Sequence, residues 1–429
     1  MLRHDLRDAR RSSGIGFERF ARLVGYSVSH LRSVENGNRE LTADIVHAYD
    51  RVLATAGAFS IRLAAHQAHA AATHRPWNQH GTLETIDHVL SGSTVDRRTF
   101  ATASGGALAA LAAHWQTGLS AHEHLEATGS RQVNPRLVDH IDQRLEHLRH
   151  LDDEIGSGEL SALARNELAL TAQLLRVGSY TDTLSRRLYS LACEAGRQAA
   201  WSEFDQHHHT TAHRYFALAL RASATANDPV AGAYTLSFMA VQCYSTGHAQ
   251  QAVSLLEAAR SGLGHNATAL MSAMLAARSA RAYSKLDDQR ACARMLHRAR
   301  TDLDHGPSLD EPPYLYWVTN GEIEMIAGSS ALELGDPTEA TRRFDAAMTA
   351  HYPGAEQYPR SHAIYMARAA EAQIALGDLD AAIERATHAL RCLGGVDSAR
   401  STTTFTALKA NLAAHSQVRV VRDFLDQTR

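Results

Sequence analysis

Between residues 14 and 37 the apolar positions recur with a helical period that breaks twice. Phe17, Phe20, Ala21 and Val24 share one helical face, and the run stops at Gly25. Gly25 suits a left-handed turn because it has no Cβ to clash there. Ser27 can cap a second short helix, whose inward stripe is Leu31 and Val34. Asn36-Gly37 ends that helix with residues able to leave it. Ala21 is small where the two helices would cross. The pattern predicts two short helices around a tight turn. Val28, Ser29, His30, Arg32 and Ser33 would point outward from the second, as they must from a helix that enters a major groove.

After Leu53 the chain becomes Ala-rich; residues 57 to 76 read as a helix, and Pro76-Trp77 as a boundary. From about residue 160 onward a pattern repeats: an Ala-rich helix, a short turn, then a second helix with small residues at fixed offsets. Gly377-Asp378 is followed by Ala382, Ala386 and Ala389, and Gly335-Asp336 by Ala340, Phe344 and Ala347. Gly247 leads to Ala252, Leu256 and Ala259, Leu286-Asp287 to Ala291 and Met295, and His207-His208 to Ala212, Phe216 and Ala219. Gly178-Ser179 starts the weakest copy. The turns are 29, 40, 39, 49 and 42 residues apart.

These two patterns carry two resemblances. The first resembles the helix-turn-helix of the XRE-type, phage-repressor class over about the first 55 residues, with Ala21, Gly25, Ser27, Leu31, Val34, Glu35, Asn36 and Gly37 in family-typical places. Gly16-Phe17 stands where that class has a Ser/Thr-Gln pair, so one phosphate anchor is missing. The second pattern resembles the tetratricopeptide repeat, with lengthened units. Together they imply an all-α protein: a five-helix helix-turn-helix domain over residues 1–75, an Ala-rich linker over 76–130, and a right-handed α-solenoid over 131–429. The pairing resembles a family of bacterial one-component regulators, in whose peptide-sensing members the solenoid binds a signal and forms the dimer. The resemblance implies a cytoplasmic homodimer that binds a near-palindromic operator in double-stranded DNA and responds to a peptide, a small molecule or a protein partner. The alternative is an interaction scaffold whose helix-turn-helix no longer binds DNA.

Candidate contacts follow from side-chain chemistry. Arg32 can donate twice to guanine, Val28 can touch a thymine methyl, and Ser29 and His30 can bond phosphate or a base edge. Arg39, Arg11 and Arg19 are candidate phosphate contacts. In the repeats, the first helix of each unit would turn Arg197, Trp201, Tyr234, Ser237, Tyr244, Tyr283, Glu322, Met325 and Glu371 to the concave face. Aromatics beside a few polar groups suit a peptide or a small apolar ligand.

Composition changes this picture little. The 429 residues are 45% hydrophobic, enough for more than one domain, and no apolar run approaches the ~18 residues of a membrane span. The net charge of −3 does not suggest a general polyanion binder, and residues 1 to 53 carry only +2. Of the 43 basic residues only Lys285 and Lys409 are lysines. Cys193, Cys243, Cys292 and Cys392 are far apart and read as reduced, packed thiols. Twenty-six histidines include His207-His208-His209, His66/His69 and His147/His150, but no Cys, Asp or Glu completes a ligand set in the sequence, so no metal or cofactor is expected. Asp152-Asp153-Glu154 reads as a solvated helix end, and no catalytic motif is present, so no enzyme is expected. Thr94 to Phe100, with Arg97-Arg98 before an Ala/Gly-rich stretch, resembles a twin-arginine export signal. Its place behind the first domain makes it an interdomain connector instead.

Overall fold

Residues that leave the helix set this architecture. The computed structural model describes residues 2–39, 41–53, 55, 59, 75–91, 105–120, 125, 127, 129–158, 160–350, 352 and 357–428. Among them are twenty α-helices and one pair of two-residue parallel strands, β1 (Arg131–Gln132) and β2 (Gly178–Ser179). The described residues form two compact units, one ending at Arg75, the other made of Pro76–Ser91 and the residues from Gly105 onward. Among the described residues no helix is long and apolar enough to cross a membrane.

The first unit holds α1 (Leu2–Ser12), α2 (Phe17–Val24), α3 (Val28–Glu35) and α4 (Ala43–Leu53). Gly25 adopts φ 81°, and its N–H donates back to the carbonyls of Ala21 and Arg22, which closes the turn between α2 and α3. The Ser27 hydroxyl caps α3 by accepting from the His30 N–H at 3.2 Å. Phe20, Ala21, Val24, Leu31 and Val34 meet Leu6, Ile45, Val46 and Tyr49 in one core. Most of the fifth helix expected over 57–76 lies outside the described residues.

In the second unit, five helix hairpins follow one another: α9 (Asp182–Asp205) with α10 (His209–Ala226), α11 (Pro229–Ser245) with α12 (Ala249–Leu263), α13 (Ala269–Ser284) with α14 (Gln289–Asp304), α15 (Asn320–Glu333) with α16 (Pro337–Thr349), and α17 (Pro359–Leu376) with α18 (Leu379–Leu393). Their turns contain His207, Gly247, Asp287, Gly335 and Gly377, all with positive φ. Five places beyond four of these turns stand Ala212, Ala252, Ala340 and Ala382, each 0% exposed. Gly178-Ser179 does not open a sixth such unit. It forms β2, and the helix after it, α9, is already the first member of the next hairpin. Ahead of these hairpins lie α7 (Pro135–Ile155) and α8 (Leu160–Val177), and behind them α19 (Ala399–Ala413) and α20 (Arg419–Gln427).

The stretch expected as a linker contributes two helices to this unit, α5 (Gln79–Leu90) and α6 (Gly105–Ser120). Ile86 and Val89 of α5 and Leu108, Leu111 and Trp115 of α6 belong to the repeat core. Trp115 is 0% exposed, and its Nε1–H donates to Ser223 Oγ at 3.0 Å. It fits a notch between two glycines: a Cβ at Gly232 or Gly262 would overlap its ring. An apolar helix reads as a connector only while its burial partner is unknown. Residues 92–104, including Arg97-Arg98, lie outside the described residues. Trp115→Ala should lower the unfolding free energy of the chain by about 3–5 kcal/mol, read by denaturant titration. A loss below ~1 kcal/mol would show that α6 is not docked in this way.

Candidate nucleic-acid interface and repeat-domain cavity

The second motif helix presents the expected side chains. Ser29 and Arg32 are exposed, Val28, His30 and Ser33 half-buried, and Arg11, Arg19 and Arg39 exposed. His30 stacks on Tyr26 with ring centroids 5.3 Å apart and shares a 2.9 Å hydrogen bond with Arg39 Nη1. Arg39 is therefore tied to α3 and does not stand apart beyond its end. Phe17, which replaces the usual Gln, lies between two guanidiniums, Arg10 at 4.1 Å and Arg32 at 5.3 Å from its centroid. An aromatic face at this place holds Arg32 by a cation–π contact where the class has a phosphate anchor.

Sequence reasoning missed the brace behind this helix. Arg3, Arg7 and Arg10 recur at one-turn spacing on α1, and all three reach the C-terminal end of α3. Arg3 donates to the Val34 carbonyl at 2.6 Å, and Arg7 to the Glu35 carbonyl and Asn36 Oδ1, both at 2.8 Å. Cations there satisfy orphan carbonyls and complement the helix dipole. Arg10 forms a fork on the Glu35 carboxylate at 2.7 and 2.8 Å, and the Tyr49 hydroxyl donates to the same carboxylate at 2.8 Å. Arg10 and Glu35 are both buried. Burial opposes the Glu35 charge, but the Arg10 and Tyr49 hydrogen bonds outweigh it and hold the carboxyl below its ordinary value of 4.5. The spacing of the three arginines is readable in the sequence; their common target is not.

The second unit closes on itself. Arg360 of α17 donates from Nη1 at 2.8 Å and Nη2 at 2.6 Å to the two carboxylate oxygens of Asp152 on α7, and from Nη1 to Ser157 Oγ at 2.9 Å. Gly156 pairs with Asp397 in an isolated parallel bridge, and Gln206 Nε2 donates to the Asp397 carbonyl at 3.2 Å. The ring of helices lines a half-open cavity of about 410 Å³, walled by the first helix of every hairpin together with α7, α8 and α19. Asp152-Asp153-Glu154 is therefore not a solvated helix end. Asp152 is held by Arg360, Asp153 accepts from the Tyr316 hydroxyl, and only Glu154 is exposed. Burial pushes the Asp153 carboxyl up to about 7.

Of the nine residues expected on the concave face, Arg197, Trp201, Tyr234, Tyr244 and Glu322 line this cavity. Arg197 forks onto Glu194 at 2.9 and 2.6 Å and lies over the rings of Tyr234 and Phe238. Glu322 accepts from the Tyr365 hydroxyl at 2.5 Å, and burial pushes it up to about 7. The other four are not in the wall. Ser237 is fully buried one layer behind, where it accepts from Arg278 at 2.5 Å. Met325 fills the core beside Phe344 and Tyr352, and Tyr283 and Glu371 are half-buried outside the lining. Arg278, Arg368, Arg400 and Trp317 do line it, although the concave-face pattern does not single them out. A signal exists: Arg278 and Arg368 stand nine residues before the turn residues Asp287 and Gly377, close to the register of Arg197 before His207.

Three of the histidines singled out by spacing hydrogen-bond to protein groups. His207 bonds Thr403 at 2.9 Å, His208 bonds Glu203 at 2.8 Å, and His147 bonds the Gln143 carbonyl at 2.7 Å. His66 and His69 lie outside the described residues. The fold instead assembles a set that the sequence does not reveal: His362, His388 and Cys392 each offer a ligand atom, all within 4.8 Å of one another. Cys193, Cys243 and Cys292, like Cys392, are buried and free.

With this geometry in place, comparison with known families gives one match: residues 2–58 fit the model of a helix-turn-helix domain. No curated protein and no solved structure matches the chain. The match to the first unit supports a DNA-binding regulator of the helix-turn-helix class, joined to an all-α domain of stacked hairpins.

Glu35→Gln removes the charge that Arg10 forks onto and should destabilise the head by about 3–5 kcal/mol, because it strands a buried cation. Hydrogen exchange should then quicken in peptides covering residues 17–53 and stay unchanged in the repeats. Because Glu35 titrates below 4.5 when folded, the pair contributes in full above about pH 4.5. That contribution is lost as pH falls through the lower, folded value. The parent head should therefore loosen on acidification below that point, while the Glu35→Gln variant shows no such step. Equal exchange in parent and variant at neutral pH would refute the brace.

Proposed function

We propose that this chain is a cytoplasmic, homodimeric transcription regulator of the XRE type, whose tetratricopeptide-like domain binds a signal in the half-open cavity. The observation that carries the DNA reading is α3: a capped, braced helix with Ser29 and Arg32 exposed and Val28 at its first turn. A base-reading helix must be held rigidly while its outward face stays free, and that is the arrangement here. The head carries only +2 over residues 1 to 53, so a single copy would bind DNA weakly. Two heads placed one helical turn apart, ~34–36 Å, would add their contacts and call for a near-palindromic site. The repeat domain is the part of the chain large enough for a substantial dimer surface.

We read the cavity as a sensor and not a catalytic centre. Asp152 is locked to Arg360, and Asp153 and Glu322 each accept from a tyrosine hydroxyl. A ligand that favours one arrangement of the surrounding helices changes DNA affinity by linkage.

The test uses the full chain and duplexes recovered by genomic footprinting. Arg32→Ala should cost about 1–3 kcal/mol on the cognate duplex and relax preference at one base position. Arg39→Ala should weaken binding to every sequence and flatten the salt slope by about one unit. If both variants bind cognate and random duplexes like the parent, the DNA reading fails. A chain that sediments on its site as a monomer would sink the dimer.

A further inference from the structure

The charges around the cavity do not balance. Eight cationic side chains and three carboxyls line it. Five of the cations are held by carboxylates: Arg149 and Arg197 share Glu194, Arg281 and Lys285 share Glu333, and Arg360 holds Asp152. Arg400 reaches only Asp205, at 3.7 Å, a carboxylate that Arg360 also approaches at 3.9 Å. Two remain. Among the described residues neither Arg278 nor Arg368 has a carboxylate within ion-pair distance. Arg278 is 7% exposed, and its guanidinium lies over the rings of Phe238 at 4.3 Å and Trp317 at 5.1 Å. Burial pulls Arg278 down from its usual value, and pulls Arg368 down to about 10. A buried guanidinium with no carboxylate in ion-pair contact is costly to the fold; Arg278 is one, and Arg368, half-buried in the same wall, adds a second cation that an anion would satisfy.

We propose that the cavity binds a small organic anion built on a flat ring, its phosphate or carboxylate held by Arg278 and Arg368. The guanidinium fork matches both headgroups bidentately. Trp201, Phe238, Trp317 and Tyr365 add ring faces to the same wall, so the ring of the ligand has somewhere to stack. The volume of about 410 Å³ lies at the small end of the range for ligand pockets, which suits a compact molecule. The charge favours an anion over the apolar ligand that the sequence pattern suits, because a neutral molecule would leave both guanidiniums without an anionic partner.

This inference rests on reading the cavity as a sensor, so binding is measured on the full chain without DNA. Calorimetric titrations use 1-naphthyl phosphate, 1-naphthoate and the neutral 1-naphthalenemethanol. At least one anion should bind more than about tenfold tighter than the alcohol and weaken with salt, and the ranking of the two anions identifies the headgroup. Arg278→Met and Arg368→Met should each lose more than about tenfold of that affinity. In the ligand-free chain Arg278→Met should raise Tm, since it replaces an unpaired buried charge with an apolar stem. Equal binding of alcohol and anions, binding by neither anion, or a marked fall in Tm for Arg278→Met overturns the proposal. Gel shifts on the same preparations test the head separately: an anion failure with DNA binding intact removes only the ligand class.

A second inference stands on the cluster of His362, His388 and Cys392. His388 and Cys392 are four residues apart on α18 and so share a face, while His362 comes from α17. His362 is 1% exposed, and neither of its ring nitrogens has a hydrogen-bond partner. A buried imidazole with both nitrogens unmatched is unusual and unfavourable. We infer a zinc-type site in which two imidazoles and the Cys392 thiolate coordinate the metal and water takes the fourth position. On binding, the thiol proton leaves to solvent and the sulfur–metal bond forms in its place. The full chain, stripped with EDTA, is titrated with zinc and counted by elemental mass spectrometry, with cobalt as a spectroscopic stand-in. About one ion per chain should bind and raise Tm, and cobalt should show a thiolate charge-transfer band. Cys392→Ala and His388→Ala should each abolish both. No bound metal in the parent, or equal binding in the variants, overturns the site.

Discussion

The bond between Arg360 and Asp152 decides what the second unit is. The two residues are 208 positions apart, and their fork joins the first helices of the domain to its last hairpin. A stack of hairpins without such a link is an open arc, each unit touching only its neighbours. With it, the arc returns to its beginning and the inner faces of the first helices line a half-open cavity. Burying this pair is expensive, and the cost is met by geometry: two parallel hydrogen bonds, a third to Ser157, and the carboxylate of Asp205 beyond. Asp153, next in sequence, then has no room to stay ionised freely and takes the Tyr316 hydroxyl instead.

The same rule organises the head. Arg10 is buried because Glu35 and Tyr49 are buried with it, and Arg3 and Arg7 lie beside it because the end of α3 offers bare carbonyls. Arginine is the main cation of this chain, and the fold places it where a planar fork finds two acceptors. Arg278 and Arg368 are exceptions with a location. Both line the cavity, and among the described residues neither meets a carboxylate of the kind that holds Arg10, Arg197, Arg281 and Arg360.

Local chemistry was legible in the sequence, and distant chemistry was not. Gly25 and Ser27 fixed the first turn because backbone freedom and a capping hydroxyl act within a few residues. The five hairpin turns were equally visible, since positive φ selects its residues on the spot, and Ala212, Ala252 and Ala340 at fixed offsets followed from helices crossing closely. Gly178-Ser179 imitated that signal, but its partner is a strand at Arg131–Gln132, which no local pattern announces. The helix from Gly105 to Ser120 misled for a related reason. Its Ala- and Gly-rich sequence has no strong polar face to show which side is buried, and only Trp115 betrayed a tertiary partner. Asp152 misled most, because a run of three acids reads as solvated until a guanidinium arrives from the other end of the domain. The inward faces were half legible: Arg197, Trp201, Tyr234 and Tyr244 stood at offsets that point inward, while Arg278, Arg368 and Trp317 were not singled out and Tyr283 stands outside the lining.

Helix α11 carries both kinds of information at once. Tyr234 and Phe238 on it face the cavity, and Gly232, half a turn away from Tyr234, opens the notch that receives Trp115 of α6. Trp115 is also anchored to Ser223 on α10, so α6 cannot follow a rotation of α11 without breaking that bond or losing the notch. A ligand that presses on Tyr234 or Phe238 therefore acts on an element with few alternative packings. Tightly packed elements of this kind shift between discrete arrangements and do not deform smoothly. The chain enters this unit through α5 and α6, so α11, which carries Tyr234 and Phe238 of the cavity wall, is packed directly against a helix at that entrance. Coupling between ligand and head needs a difference in affinity between two arrangements of α11 against α6, and the Trp115 notch is where such a difference would be stored.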